Sequence, residues 1–245
     1  MPFDPTNLRA VVFDYGNTLI EFTRPHVDRL DAAIVGAIEQ AMGPVDRSRF
    51  IELRVTAYRA AYGHPELREV TMHEQLTDIL TNLVGRPPKD DELAAVIEVH
   101  DRAFVEVVEA PDYVHDLLAK LQQRYRLAMI SNYPCGKSIR ASLARTGIAP
   151  RLSAVAVSGE VGYVKPHPLP FTTVLDELGL EPHEAVYIGD NWLGDIQGAK
   201  RLGMAAIHTT QFDTLEVFDR EPDHHDADLV INHLTELETH LLAHV

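Results

Sequence analysis

The chain has 245 residues, which is enough for one large domain or two small ones. Hydrophobic residues make up 45% and charged residues 24%, which argues against disordered, collagen-like and fibrous classes. The 22 Lys and Arg residues against 37 Asp and Glu residues give a net charge of −15, so we expect no nucleic-acid partner and no anionic membrane surface.

Three further features of the sequence narrow the class of protein. No apolar run approaches the roughly 18 residues that a membrane helix needs. Residues 1–10 contain two prolines and an acid, where a signal peptide has a basic and then an apolar region. The single cysteine, Cys135, argues against a disulfide framework and a cysteine-based zinc cluster. We therefore expect a soluble, cytoplasmic protein.

Short apolar runs that end in turn-forming or polar residues recur along the chain. They lie at 10–13, 127–130, 154–157, 185–188, 205–207 and 229–231. Continuous apolar runs of this length are typical of strands buried on both faces of a parallel sheet. Helical patterns lie between several of them, at 137–146, 168–179 and 194–203. The alternation predicts a doubly wound α/β fold with a parallel sheet.

From about residue 22 to residue 108 only helical periodicity is found. Apolar residues share one face of a first helix, for example Val27, Leu30 and Ile34. The spacing of Thr71 and Glu74 is that of a capping box, which predicts the start of another helix. Turn residues divide the segment into about four helices. We interpret 22–108 as an inserted helical cap domain on an α/β core formed by 1–21 and 109–245. The alternative is a helical layer packed on the sheet.

Polar residues at strand ends carry the functional signal, because ligands of open parallel sheets bind at the carboxyl ends of the strands. The segments concerned are 14–19, 131–132, 165–166 and 189–195. Together they would bring an acid, a hydroxyl donor, a cation and two further acids to one crevice. This set suits an oxygen-rich anion and a hard cation such as Mg²⁺, which takes carboxylate, water and phosphate oxygens.

These segments resemble the motifs of the haloacid dehalogenase superfamily, whose members are mostly phosphatases. The matching residues are Phe13-Asp14-x-x-x-Thr18-Leu19, Ser131-Asn132, Lys165-Pro166 and Gly189-Asp190-x-x-x-x-Asp195-Ile-x-Gly-Ala. Each motif alone is weak, but all four occur in the order of the family. The resemblance implies a Rossmann-like core with a type-1 helical cap. It also implies Mg²⁺-dependent hydrolysis of a small phosphorylated substrate through an aspartyl-phosphate.

The resemblance assigns catalytic and phosphate-binding roles to five residues. Asp14 would be the nucleophile, which divides a slow hydrolysis into two faster steps. Ser131 would donate a hydrogen bond to the transferring phosphoryl group, and Asn132 and Asn17 would help to bind it. Lys165 would neutralise negative charge on Asp14 and on the phosphate during transfer.

The implied Mg²⁺ site consists of Asp14, the carbonyl of Gly16, Asp190 and Asp195, with Asp195 acting through water or by orienting its neighbours. At Gly16 the chain departs from the family, whose phosphatases usually carry a second Asp there. That Asp protonates the leaving oxygen and then deprotonates the attacking water. Glycine keeps the carbonyl but loses this acid–base catalysis, which is typically worth ~10²–10⁴-fold. Glu21 and His26 are the first candidates to replace it.

Three other functions stay open from the sequence. A 2-haloacid dehalogenase works without metal and also lacks the second Asp, although Gly189–Asp190 keeps the phosphatase metal pattern. Cleavage of a carbon–phosphorus bond would need a cap lysine, and residues 20–108 contain only Lys89. A non-catalytic binding or regulatory protein would explain Gly16 as loss of activity. The sequence names neither the substrate nor the oligomeric state.

Several histidines and one arginine are weaker candidates. His64, Arg68 and His73 lie near the turn between the second and third predicted helices, where they are either specificity residues or solvated surface. The pair His224–His225 lies among acids, and we interpret it as a solvated loop rather than a metal site.

Overall fold

A computed structural model describes residues 4–212 and 227–242. Six strands form one parallel sheet: β1 (Ala10–Phe13), β2 (Arg126–Ser131), β3 (Ala154–Val157), β4 (Ala185–Gly189), β5 (Ala205–Thr209) and β6 (Leu229–Ile231). Their order across the sheet is β3-β2-β1-β4-β5-β6, so the chain winds outward from β1 in both directions. The predicted doubly wound, Rossmann-like α/β fold is confirmed. The pair His224–His225 lies outside the described residues.

Helices connect the strands and cover the sheet. In chain order they are α1 (Arg24–Met42), α2 (Arg47–Gly63), α3 (Met72–Val84), α4 (Asp90–Val107), α5 (Asp112–Leu121), α6 (Gly136–Arg145), α7 (Ser158–Val161), α8 (Pro168–Leu178) and α9 (Gly198–Leu202). A π-helical turn, Trp192–Gln197, runs directly into α9. Within the described residues, no helix has the length and apolar character needed to cross a membrane.

The central strands β1 and β4 are buried on both faces, as their continuous apolar runs predict, whereas the edge strand β6 exposes Val230. In β1, Val11 and Phe13 face one hydrophobic cluster, and Ala10 and Val12 face the other. Helices α8 and α9 contribute to the second cluster, while α5 and α6 contribute to the first. Phe13 pairs with β2 on one side and with β4 on the other. The residue that follows it therefore lies between the carboxyl ends of these two strands.

Four helices, α1 to α4, occupy the segment that the sequence marks as helical. The capping box is present, with Thr71 N–H donating to Glu74 at 3.0 Å and Glu74 N–H donating to Thr71 at 3.3 Å. A buried ion pair of 2.7 Å between Arg54 Nε and Asp31 Oδ1 joins α2 to α1. Helix α4 also reaches the core, where its Asp101 accepts a hydrogen bond of 2.8 Å from the α6 residue Ser138.

Candidate active site

The centre of the site is an ion pair between Asp14 and Lys165, which lie 151 residues apart in the chain. Asp14 directly follows β1, and its backbone N–H donates to the Ile188 carbonyl of β4 at 2.8 Å. Lys165 Nζ lies 2.5 Å from Asp14 Oδ1 and 2.7 Å from Asp195 Oδ1. All three charged side chains are buried. The contacts are therefore charge-assisted hydrogen bonds in surroundings of low dielectric constant.

Two neutral oxygens complete the surroundings of the Lys165 ammonium group. Its Nζ lies 3.0 Å from the Tyr187 hydroxyl and 3.2 Å from the Ile130 carbonyl oxygen. Burial alone would lower the pKa of Lys165, but the charges of Asp14 and Asp195 raise that pKa well above its usual range. Lys165 is therefore a permanent cation in this site, and not a group that gives up a proton at neutral pH.

Asp195 is held through both of its carboxylate oxygens. Oδ1 faces the lysine, and Oδ2 accepts the backbone N–H of Asn191 at 2.9 Å. The Asn191 side chain in turn caps the π-helical turn by accepting the Gly194 N–H at 2.7 Å. At Gly189 a Cβ atom would lie 2.3 Å from Asp195 Oδ2, so this close approach requires glycine. Single π-helical turns are often found at functional sites.

Asp14, Asp190 and Asp195 bring three carboxylates together, and one oxygen of each lies within 4.8 Å of the others. Burial raises the pKa of Asp14 to about 6; Lys165 opposes this rise and the charge of Asp195 adds to it. Burial and the charges of Asp14 and Asp195 raise the pKa of Asp190 well above its usual value. Acids that resist ionisation together are stabilised by a hard cation, and carboxylate oxygens are ligands that Mg²⁺ prefers. The residues present therefore fit Mg²⁺.

Two hydroxyl residues lie in the strand-end segments around Asp14. Ser131 is the last residue of β2 and is 5% exposed. Thr18 is fully buried, and its hydroxyl has no hydrogen-bond partner within the part of the chain that the structure describes. Buried polar groups are usually paired, so each exception needs an explanation such as a ligand.

The two predicted phosphate-binding amides are engaged with the backbone of the protein. Asn132 Oδ1 accepts the Lys165 N–H at 2.7 Å, and Asn132 Nδ2 donates to the Lys165 carbonyl at 3.0 Å. Asn17 has a left-handed φ of 54°, and its Oδ1 accepts the Phe22 N–H at 2.9 Å. In this structure Asn132 therefore positions the lysine, and Asn17 closes the turn after β1.

Gly16 lies in an open part of the loop that follows β1. It is not among the residues with a left-handed φ, and a Cβ atom placed on it would meet only Phe22 Cβ, at 3.9 Å. Neither backbone strain nor lack of space therefore requires glycine here. The loop therefore has room for the second carboxylate that the sequence resemblance leads us to expect here.

Glu21 and His26, the candidates to replace that carboxylate, both contact Thr23, the residue that precedes α1. Thr23 Oγ1 donates to Glu21 at 2.9 Å, and Thr23 N–H donates to His26 Nδ1 at 3.3 Å. These contacts cap the helix and give no separate sign of a role in proton transfer. Their participation in the chemistry stays a prediction.

The candidate specificity residues lie on or beside the loop between α2 and α3. Arg68 forms an isolated antiparallel bridge with Tyr163, two residues before Lys165. His64 Nδ1 accepts the Glu66 N–H at 3.1 Å within the loop, and His73 is an exposed residue of α3. The loop therefore contacts the segment that leads to the lysine.

Sequence reasoning missed three residues that shape the site. Tyr187 reads as one more apolar residue of a strand, and Asn191 as part of a turn, yet both position the charged groups. His208 Nε2, at the end of β5, lies 2.9 Å from the Asp190 carbonyl oxygen. An available signal was that all three lie in a strand of the motif-bearing sheet or within two residues of its end.

The geometry agrees with comparisons of the chain with known proteins. A family model described as haloacid dehalogenase-like hydrolase matches residues 8–203. The chain belongs to this family. It is therefore a hydrolase, and the relatives it resembles in sequence are phosphatases.

Two such relatives are the glyceraldehyde 3-phosphate phosphatase of Methanopyrus kandleri and the phosphoglycolate phosphatase of Escherichia coli O157:H7. The first is 28% identical over 203 residues, covering 82% of this chain and 83% of the relative. The second is 28% identical over 217 residues, covering 83% of this chain and 82% of the relative. This phosphatase-like hydrolase thus matches most of the length of both.

Solved structures show the same fold. A 2-haloacid dehalogenase from Pseudomonas syringae pv. Tomato DC3000 superposes with a TM-score of 0.69 at 25% identity, covering 96% of this chain and 98% of the other. A HAD phosphatase from Thermococcus onnurineus superposes with a TM-score of 0.67 at 23% identity and the same coverage. Structures named for both activities therefore share this architecture, so the fold alone does not determine the reaction.

Proposed function

We propose that this protein is a Mg²⁺-dependent hydrolase of small phosphomonoesters that works through an aspartyl-phosphate on Asp14. The observation that carries the proposal is the buried Asp14–Lys165–Asp195 array with Asp190 beside it. The three carboxylates carry more negative charge than Lys165 offsets, so a bound cation would stabilise the cluster. A metal-free reaction does not require such a cluster. The phosphatase names of the two relatives support the same choice.

The metal would be held by Asp14, the Gly16 carbonyl and Asp190, and Asp195 would orient the surrounding groups. When bound, Mg²⁺ supplies positive charge that offsets the negative charge of the phosphate and the carboxylates. The chain itself supplies the nucleophile, because Asp14 is ionised above its pKa of about 6. Its carboxylate is fixed at the end of β1 and aimed by the lysine, so little reorganisation precedes attack.

The fixed charge of Lys165 lowers the energy of the transition state. As the bond to phosphorus forms, negative charge shifts from the attacking carboxylate towards the phosphoryl oxygens and the leaving oxygen. The lysine stays charged throughout and is already desolvated, so it stabilises that charge without reorganisation. Asn132 contributes by fixing the Lys165 backbone, because its amide accepts from the Lys165 N–H and donates to the Lys165 carbonyl. Ser131, at the end of β2, would donate a hydrogen bond to a phosphoryl oxygen.

Proton transfer is the step that Gly16 would affect, because this position offers no side-chain acid or base. With Gly16 in place of an acid, the leaving group departs as an oxyanion or takes a proton from water. We expect esters of acidic alcohols, such as aryl phosphates, to react faster than alkyl phosphates of similar size. Attack of water on the aspartyl-phosphate should also lack a base, so a burst of product should precede a slower steady state.

The helical segment 22–108 would serve as a cap over this site. Its helices pack on one another, and the chain enters and leaves the segment close to the site loops. A cap of this kind excludes water during phosphoryl transfer and opens for product release. Specificity for the leaving group would then depend on cap residues, among them those of the α2–α3 loop.

The experiment that tests the proposed function is a phosphate-release screen over a panel of phosphomonoesters, with Mg²⁺ and with chelator. The Asp14→Asn variant is the blank, because its amide keeps the size of the carboxylate but is not a nucleophile. We expect release that needs both Mg²⁺ and Asp14. Release of halide from 2-haloacids in chelator would show a dehalogenase instead. Neither activity would favour a binding protein.

A further inference from the structure

The loop between α2 and α3 is joined to the core by backbone hydrogen bonds. Glu69 N–H donates to the Gly162 carbonyl at 3.0 Å, and Val164 N–H donates to the Leu67 carbonyl at 2.9 Å. These bonds flank the bridge between Arg68 and Tyr163. The loop therefore pairs with the stretch of chain that ends at Lys165.

A side-chain contact joins the same loop to the loop that follows β2. The Ser158 hydroxyl, fully buried at the start of α7 directly after β3, donates to Glu69 Oε2 at 2.5 Å. The same hydroxyl oxygen accepts the Tyr133 N–H at 2.8 Å. Tyr133 lies two residues after Ser131, and its carbonyl accepts the Gly159 N–H at 3.1 Å. One hydroxyl thus bridges the helical segment and the loop of Ser131.

This contact is held in place by its surroundings. The other carboxylate oxygen of Glu69 accepts the Val70 N–H at 3.0 Å, which orients the carboxylate towards Ser158. A Cβ atom on Gly159 would lie 2.5 Å from the Pro134 carbonyl oxygen, so the two core loops are in close contact there. Glu69 is half-buried, and this burial raises the pKa of its carboxyl group.

We propose that Glu69 is a positioning residue of the hydrolase: through Ser158 and Tyr133, its carboxylate couples docking of the α2–α3 loop to the placement of Ser131 and Lys165. When the loop is docked, the Ser158 hydroxyl accepts from Tyr133 and donates to Glu69. These two bonds fix the loop that follows β2 and the segment that follows β3 relative to each other. When the loop leaves, Ser158 loses the Glu69 carboxylate and keeps only the longer contact of 3.3 Å to the Tyr133 carbonyl, and the segment before Lys165 loses its backbone partners. Ser131 and Lys165 are therefore both in place for catalysis only while the α2–α3 loop is docked on the core.

This inference rests on the proposed phosphatase function, so its test combines a structural measurement with a kinetic one. Hydrogen–deuterium exchange is measured on the wild type without substrate and on the variants Glu69→Ala, Glu69→Gln and Ser158→Ala. Glu66→Ala is the matched control, because Glu66 is an exposed acid of the same loop. Steady-state rates are measured with p-nitrophenyl phosphate and Mg²⁺ on the same proteins.

In the exchange measurement, Glu69→Ala and Ser158→Ala should expose the amides of residues 67–70, of Tyr133 and of residues 162–164 to faster exchange. The Glu66→Ala control should match the wild type. Glu69→Gln should give a smaller change, because its amide oxygen still accepts from Ser158 while its NH₂ group then faces the Val70 N–H. This conservative variant keeps the test valid if Glu69→Ala does not fold.

In the kinetic measurement, Glu69→Ala should lower kcat roughly tenfold or more, the range expected for loss of a hydrogen bond to a charged group, with a smaller change in KM. The double variant with Ser158→Ala should be no worse than the poorer single variant, because both act through one contact. Independent multiplication of the two effects, or a lower melting temperature with unchanged kcat, would overturn the inference. If the variants exchange as the wild type does, the inference about Glu69 is wrong, whether or not the wild type is active. If the exchange changes as expected but the wild type is inactive, only the proposed phosphatase function is wrong.

Discussion

Replacing the proposed nucleophile should stabilise the metal-free protein. Burial raises the pKa of Asp14 from 3.8 to about 6, despite the lysine at 2.5 Å. The folded protein therefore holds a proton on Asp14 that the unfolded chain has already lost. In Asp14→Asn the amide has no charge to desolvate, and its oxygen can still accept a hydrogen bond from Lys165.

The magnitude follows from the shift in pKa. A rise of roughly two units corresponds to about 3 kcal/mol between the ionised and protonated states. Because the pKa of the folded state is the higher one, the free energy of unfolding falls as pH rises through the window from 3.8 to about 6. Above that window the wild type has lost this contribution. At pH 7.5 without metal, Asp14→Asn should therefore be more stable by about 1–3 kcal/mol, and at pH 4 the difference should vanish.

Urea unfolding followed by circular dichroism, in chelator and at several pH values, measures this difference. Asp176→Asn is the control, because Asp176 is an exposed carboxylate on α8 of the same core. Adding Mg²⁺ should stabilise the wild type more than Asp14→Asn, since only the wild type keeps all three carboxylates. If the wild type is the more stable protein at pH 7.5 in chelator, the argument from burial is wrong.

Three further substitutions test the charged groups and the glycine. Lys165→Ala should lower kcat about 100- to 1,000-fold, measured by phosphate release; it should also destabilise the fold by about 3–5 kcal/mol in urea unfolding, because Asp195 loses its buried partner. Asp190→Asn should raise the Mg²⁺ concentration for half-maximal activity about tenfold or more in a metal titration, and an unchanged value would contradict its role as a ligand. Gly16→Asp should raise turnover of alkyl phosphates up to ~10²-fold while aryl phosphates change little, and equal effects on both would show that another group transfers the proton.

The sheet could be predicted because its central strands are buried on both faces. In β1 and β4 every residue is apolar or glycine, so the pattern alone indicates strands of a parallel sheet. The site segments could be located because strand ends in such a sheet lie along one edge. The four-residue α7 escaped prediction because one helical turn is too short to show periodicity.

Contacts between distant parts of the chain could not be predicted in the same way. Glu69 and Ser158 are 89 residues apart, and nothing in either local pattern indicates that a helical loop packs on the end of β3. Asn132 follows Ser131, which favoured a phosphate-binding role, yet its amide matches the Lys165 backbone across 33 residues. A sequence pattern gives the element and the edge on which a side chain lies. Its hydrogen-bond partners depend on loops whose paths the pattern does not determine.

Gly16 links the chemistry of the site to its stability. The crevice already holds the carboxylates of Asp14, Asp190 and Asp195 beside the Lys165 cation, and burial together with the neighbouring carboxylates raises the pKa values of Asp14 and Asp190. A fourth carboxylate from Gly16→Asp fits the space and the backbone, so its cost would be electrostatic. The variant should therefore be less stable than the wild type in chelator at pH 7.5, and should recover with Mg²⁺ or at pH 5. Urea unfolding measures the loss of stability of this variant, and alkyl phosphate turnover measures its gain of activity. Gain of turnover with no loss of metal-free stability would show that the carboxylates of this crevice repel one another less than their raised pKa values indicate.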